Sequence, residues 1–158
     1  MPFFPGDRIG PYEILTPLGI GGMGEVFRAF DPRLRRTVAL KILSTESART
    51  PEYLKRFEQE ARSASALNHP NVVGVYDIGS HLGLPYFAME LVEGPDLREI
   101  LAMGPFGLDR TLDVATQMAE GMAAAHAKGV VHRDLKPENV MVTPEEVVKI
   151  LDLSLIHI

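Results

Sequence analysis

His132-Arg133-Asp134-Leu135-Lys136-Pro137-Glu138-Asn139 is the stretch on which the reading of this chain turns. Six of its eight residues are polar or charged, and Pro137 rules out a continuous helix through it. Apolar residues close in on both sides, Val130-Val131 before it and Val140-Met141-Val142 after it. A solvated loop can have this composition. Chemically the set offers more: Asp134 can orient and deprotonate a hydroxyl, Lys136 can neutralise a transferring phosphoryl group, and Asn139 can ligate a metal through its amide oxygen. His132 reads as a packing and hydrogen-bonding residue rather than a base. No paired His or carboxylate spacing supports zinc.

Working outward, the residues around this loop are helical before it and strand-like after it. Leu97 to Met103 reads as a short helix and Leu108 to Lys128 as a longer one, with Leu112, Ala115, Ala119 and Met122 on one face. Gly129 is expected as the residue just past its C-terminus, with Lys128 at the negative end. Val140 to Thr143 and Val147 to Leu151 read as short strands. Further upstream the period is 2 rather than 3.6. Tyr12 to Leu18, Glu25 to Phe30 and Thr37 to Leu43 read as an antiparallel meander, and Val72 to Ile78 and Pro85 to Val92 as two more strands around a turn at Gly79 to Gly83. A β-rich half followed by a helical half predicts two lobes with a cleft between them, in class α+β.

One helix interrupts the strands. Thr50 suits an N-cap, Pro51 suits the first helical position, and Glu52 complements the positive end. Leu54, Phe57, Ala61, Ala64 and Leu67 fall on one arc of about 140° at 100° per residue. Glu60 falls inside that arc. A carboxylate facing the interior is costly unless paired, so a cation is expected opposite it. The preceding strand supplies a candidate, Lys41 in Val38-Ala39-Leu40-Lys41. An exposed strand lysine is the bland alternative. If the two pair, the ammonium is held ready for phosphate oxygens.

Gly19-Ile20-Gly21-Gly22-Met23-Gly24 satisfies GxGxxG. A dinucleotide-binding reading requires a helix directly afterwards, whereas Glu25 to Phe30 is strand-like. Two readings stay open, a glycine-rich hairpin turn and a side-chain-free hairpin tip lying over a polyphosphate.

Composition narrows the classes. The chain has 158 residues, 46% hydrophobic and 23% charged, with a net charge of −5. That length is one domain's worth, and the acidic balance gives no footprint for nucleic acid or an anionic membrane. With no Cys there is no disulfide, thiolate metal site or thiol nucleophile. No stretch approaches the ~18 apolar residues of a membrane span, and the start shows no signal peptide. The expectation is a soluble, cytoplasmic chain, or a soluble piece of a longer protein whose other regions carry any membrane anchor.

Together these motifs resemble the eukaryotic-type Ser/Thr protein kinases, particularly their bacterial members. The Gly-rich loop, the Val-Ala-Leu-Lys strand, the helix Glu and His-Arg-Asp-Leu-Lys-Pro-Glu-Asn stand in the family's order and spacing. Asp152 follows Asn139 where the family places the Asp of Asp-Phe-Gly, and Lys-Pro-Glu-Asn favours Ser/Thr over Tyr kinases. The resemblance implies a kinase-like fold, a five-stranded antiparallel N-lobe with one helix and the beginning of a helical C-lobe. Residues 1–11 would be an N-terminal extension, 12–92 the N-lobe, 93–96 the hinge and 97–152 the start of the C-lobe.

It also implies ATP and Mg2+ as cofactors and protein Ser/Thr hydroxyls as acceptors. Leu18, Gly19, Gly21, Gly22, Gly24 and Val26 would cover ATP. Lys41 would hold its phosphates with Glu60 behind it, and Ala39 and Met141 would sandwich adenine. Met89 would be the gatekeeper, Glu90 and Val92 would offer hinge hydrogen bonds, and Asp96 would contact ribose. Asp134 would be the catalytic base with Lys136 beside it, and Asn139 and Asp152 the metal ligands. Two other classes are carried beside the kinase: a nucleotide-binding pseudokinase, discriminated by ATP binding without turnover, and a small-molecule phosphotransferase of the same fold, discriminated by its acceptors.

After Asp152 the pattern fails, because Leu153-Ser154 stands where the family has Phe-Gly. Residues 153–158 are expected to be non-native or truncated sequence. The 158 residues alone, lacking the family's activation loop and most of its helical lobe, are expected to be inactive.

Overall fold

The computed structural model describes residues 3–20, 24–130 and 135–151. Gly21, Gly22, Asp134, Asp152 and the segment 153–158 lie outside the described residues. The chain divides into two compact units, one formed by the described residues of Met1–Ala61 and Val75–Leu91, the other by those of Arg62–Gly74 and Val92–Ile158. Strands dominate the first and helices the second, the α+β class that the change of period predicts.

The first unit is a sheet in the order β1-β2-β3-β4-β6-β5. Its strands are β1 (Arg8–Ile9), β2 (Tyr12–Ile20), β3 (Gly24–Asp31), β4 (Arg36–Leu43), β5 (Val75–His81) and β6 (Leu84–Met89). Every pairing is antiparallel. The expected five strands are therefore six. The extra one is two residues long, too short to show alternation, and Gly10, at φ 57°, turns it back onto Tyr12. Ile9 anchors it, fully buried with Tyr12, Ile14, Phe27 and Leu40. Pro17 sits at a register shift between β2 and β3, where a missing N–H does least harm to the ladder.

Two helices, not one, belong with these strands. α1 (Thr45–Ala48) is a single turn that the Ser44 side chain caps by accepting from the Ser47 N–H. α2 (Pro51–Ser65) begins where Pro51 predicts, with the Thr50 carbonyl accepting from Leu54. Its face carries Phe57 and Ala61 into a cluster with Leu43 and Phe87.

The fourth expected strand, Val72 to Ile78, is shifted. β5 starts at Val75, because Val72 and Val73 pair elsewhere: Val72 bridges Ile150 in parallel and the Val73 N–H donates to the Ile150 carbonyl. Local alternation cannot reveal a partner so distant in sequence. The hairpin turn is also tighter than expected. Leu82 and Gly83 both have positive φ, the geometry whose twist matches the flanking strands, and this leaves Leu82 in solvent.

A polar cluster closes one end of the sheet. The Tyr12 hydroxyl donates to Asp77 Oδ2 at 2.9 Å, and Arg33 bonds both oxygens of buried Asp31. Burial first, then the Asp77 hydrogen bond and charge, pushes the Tyr12 hydroxyl far above its ordinary range. Burial alone would raise the Asp31 carboxyl, but the Arg33 hydrogen bonds and charge outweigh it and hold the carboxyl low. The signs differ. Tyr12 contributes stability below its unfolded pKa of ~10 that is lost as pH rises past it; Asp31 contributes stability above its unfolded pKa of ~3.9 that is lost as pH falls. Urea midpoints across pH should therefore fall on both limbs, with Tyr12→Phe flattening chiefly the alkaline limb and Asp31→Asn chiefly the acid one.

The second unit holds α3 (Leu97–Ala102), α4 (Leu108–Ala127), a 3₁₀ turn at Pro137–Asn139 and a hairpin of β7 (Val140–Val142) and β8 (Val148–Ile150). α4 ends as the sequence predicts. Gly129 has φ 75°, and the Val130 N–H reaches back to the Ala125 carbonyl, which closes the last turn. Val114, Val140, Val142 and Val148 form one core cluster, and Leu67, Val72, Ala125, Val130 and Ile150 another. Among the described residues no helix is long and apolar enough to cross a membrane.

Candidate functional site

Within the first unit the sheet register sets the site. Gly19 opposes Val26, Val26 opposes Lys41, and Lys41 opposes Phe87, so these four residues form one cross-strand row. Ala39 and Met89 oppose each other two positions along β4. Leu18, Gly19, Gly24, Val26, Ala39, Lys41 and Met89 therefore share one sheet, while Glu60 lies on α2 and Glu90 just past β6. Leu18 and Gly19 are exposed, Val26, Met89 and Glu90 half-buried, and Ala39 buried.

Lys41 Nζ donates to Glu60 Oε1 at 2.9 Å, with side chains only 15% and 11% exposed. Glu60 is the acid that α2 turns inward along with Phe57 and Ala61, so the pair satisfies the desolvated carboxylate. The lysine side chain also lies near the Phe87 ring, 5.7 Å from Nζ to its centroid.

Gly24, the last glycine of the Gly-rich stretch, is required for a reason the motif does not express. A Cβ there would overlap the Ile42 carbonyl oxygen on β4 and approach the Ile42 carbonyl carbon to 3.0 Å. At Gly19, by contrast, a Cβ would meet open space. The two glycines differ in what they serve, one forced by the neighbouring strand and one free of the protein's own packing.

In the second unit, Asn139 is buried at the end of the 3₁₀ turn. Its N–H donates to the Lys136 carbonyl, and its carbonyl accepts from the Leu151 N–H at 2.8 Å. This fixes Asn139 beside the residue that precedes Asp152. Met141 is half-buried on β7, opposite Lys149 and in an isolated bridge with Asp96. Asp96 also serves the fold, since its Oδ1 accepts from the Glu99 N–H and caps α3. Glu138 takes an ion pair with Arg98 at 3.0 Å. Lys136 is exposed, and Val92 half-buried.

Gln117 was not singled out by sequence. Its Oε1 accepts from Asn71 Nδ2 and from the Val148 N–H, while its Nε2 donates to the Glu146 carbonyl and to Asp113. One amide thus ties α4 to the hairpin that carries Met141. Its only sequence signal is a glutamine on the flank of an alanine-rich helix, which reads as solvated.

An oxygen-rich donor set without thiolates suits a hard divalent cation rather than zinc. Among the described residues there is no group of three or more His, Cys, Asp or Glu able to hold a metal by itself. An amide oxygen such as that of Asn139 is of the hard donor type such an ion takes.

The protein kinase domain, as a sequence family, matches residues 12–157. A probable serine/threonine-protein kinase of Streptomyces coelicolor is 44% identical over 151 residues, covering 92% of this chain and 22% of that protein. Serine/threonine-protein kinase PknB of Mycobacterium tuberculosis is 42% identical over 149 residues, covering 91% and 24%. The chain thus spans under a quarter of the length of these relatives. The crystal structure of the M. tuberculosis PknI kinase domain superposes with a TM-score of 0.81 at 30% identity, covering 96% of this chain and 61% of that one.

Proposed function

This chain belongs to the protein kinase domain family and has its fold, and from that premise we propose that it serves ATP- and magnesium-dependent phosphoryl transfer to Ser or Thr hydroxyls of proteins. The observation that carries the reading is the Lys41–Glu60 pair at 2.9 Å, with both side chains largely withdrawn from solvent. A lysine ammonium has three donors, and the carboxylate takes one. A cation fixed at one end of its stem by a carboxylate is pre-positioned for phosphate oxygens, and electrostatic attraction is stronger where water is excluded.

The remaining roles follow the family pattern position by position. Leu18, Gly19, Gly21, Gly22, Gly24 and Val26 cover the nucleotide. Ala39, Met89, Glu90, Val92, Asp96 and Met141 take the adenosine moiety, and Asp96 does so through the oxygen that α3 does not use. Asp134 orients the acceptor hydroxyl and takes its proton, and Lys136 neutralises charge on the transferring group. Asn139 and Asp152 hold magnesium, which when bound neutralises the phosphate oxygens. There is little covalent chemistry for the protein to perform, so its contribution is positioning and charge neutralisation. ATP is supplied in the cytoplasm, and we assign the domain to that compartment.

Titration of the chain with MgATP and with adenosine tests this directly. Saturable binding is expected, with ATP bound at least tenfold tighter than adenosine, and Lys41→Met is expected to remove most of that difference while leaving adenosine affinity unchanged. A folded chain that binds neither compound overturns the reading, and so does equal affinity for both.

A further inference from the structure

We propose that Phe87 is a positioning residue for the Lys41 ammonium, an aromatic brace that holds it where phosphate oxygens are bound; the inference rests on the nucleotide reading above. The strand register puts Phe87 directly opposite Lys41, so both side chains leave the sheet on the same face. Nζ lies 5.7 Å from the ring centroid, within the range at which a ring quadrupole attracts a cation.

The ring is itself fixed. Phe87 is 2% exposed and packs at 5.0 Å between centroids, tilted by 51°, against Phe57. Phe57, 1% exposed, lies on α2 three residues before Glu60, so one face of that helix presents both the aromatic and the carboxylate. Phe87 thereby lies within cation–π range of the ammonium and packs, through Phe57, on the helix that carries its counter-charge. Leu43 and Ala61 complete the cluster.

An ion pair by itself leaves the lysine considerable freedom. The four-carbon stem is flexible and the ammonium is a compact charge that can keep one oxygen in reach from several rotamers. A second attraction from a fixed ring removes many of those rotamers. What the brace secures is thus the direction of the two remaining donors, and its loss should be felt by ligands with phosphates and not by adenosine.

The test keeps the shape of the side chain and changes only the ring's electrostatics. In the 158-residue chain, Phe87 is replaced by mono-, di- and trifluorophenylalanine, which weaken the quadrupole stepwise. ATP affinity is expected to fall with each added fluorine, to about tenfold weaker at the last, while adenosine affinity stays constant. Phe87→Leu, which keeps an apolar side chain and discards the ring, is expected to match the trifluoro chain. ATP affinity that stays flat across the fluorinated series, or undiminished in Phe87→Leu, overturns the brace. Failure of the unmodified chain to prefer ATP over adenosine instead overturns the nucleotide reading itself, so the two failures are distinguishable.

Discussion

Lys41→Met is expected to destabilise the chain by about 3–5 kcal/mol, read from urea unfolding at constant slope. The substitution roughly conserves the length of the side chain, so little packing is lost. What is lost is the partner of Glu60, a residue 9% exposed beside Phe57 and Ala61. An uncompensated carboxylate in that setting bears its desolvation in full. The double variant Lys41→Met/Glu60→Leu is expected to recover much of the loss, because neither charge then remains buried. If the single variant unfolds at the same urea concentration as the unmodified chain, the pair is not the buried interaction its exposures indicate.

Gly24→Ala is the second large effect, about 1–3 kcal/mol of destabilisation from overpacking. The added methyl would overlap the Ile42 carbonyl oxygen, a backbone atom that cannot rotate away as the end of a side chain can. β3 and β4 must separate where Gly24 opposes Leu43. Hydrogen exchange is the direct readout. Protection should fall for Ile42 and Leu43 and persist at the far end of the ladder, where Asp31 opposes Arg36. Gly19→Ala, with open space around the new methyl, is the control and is expected to leave protection and the urea midpoint unchanged. Equal effects at the two glycines would show that the cross-strand approach at Gly24 is not what requires it.

Most of the strands could be read from alternation, and the start of α2 and the end of α4 from residues that suit helix ends. Pro51 and Gly129 mark helix ends by restricting or freeing one backbone dihedral, which is a local effect that sequence expresses directly. The inward charge of Glu60 was legible for a similar reason: helical geometry puts it on the same arc as Phe57 and Ala61 whatever lies opposite. β1 was not legible, since two residues cannot display a period. Nor was the loss of Val72 and Val73 to β8, since their partner Ile150 is far along the chain.

The sequence by itself determined the family's motifs, the α+β class and the need for a cation facing Glu60, because each depends on residue identity and fixed periodicity. Only the tertiary structure decided that Lys41 is that cation, at 2.9 Å, that Phe87 flanks it, and that Gln117 ties α4 to the β7–β8 hairpin. It also decided that Gly24 is small for the sake of Ile42. The physical reason is common to all four. Pairing across strands and between helix and sheet is fixed by which distant segments share a register, and no local rule of propensity or spacing encodes that distance.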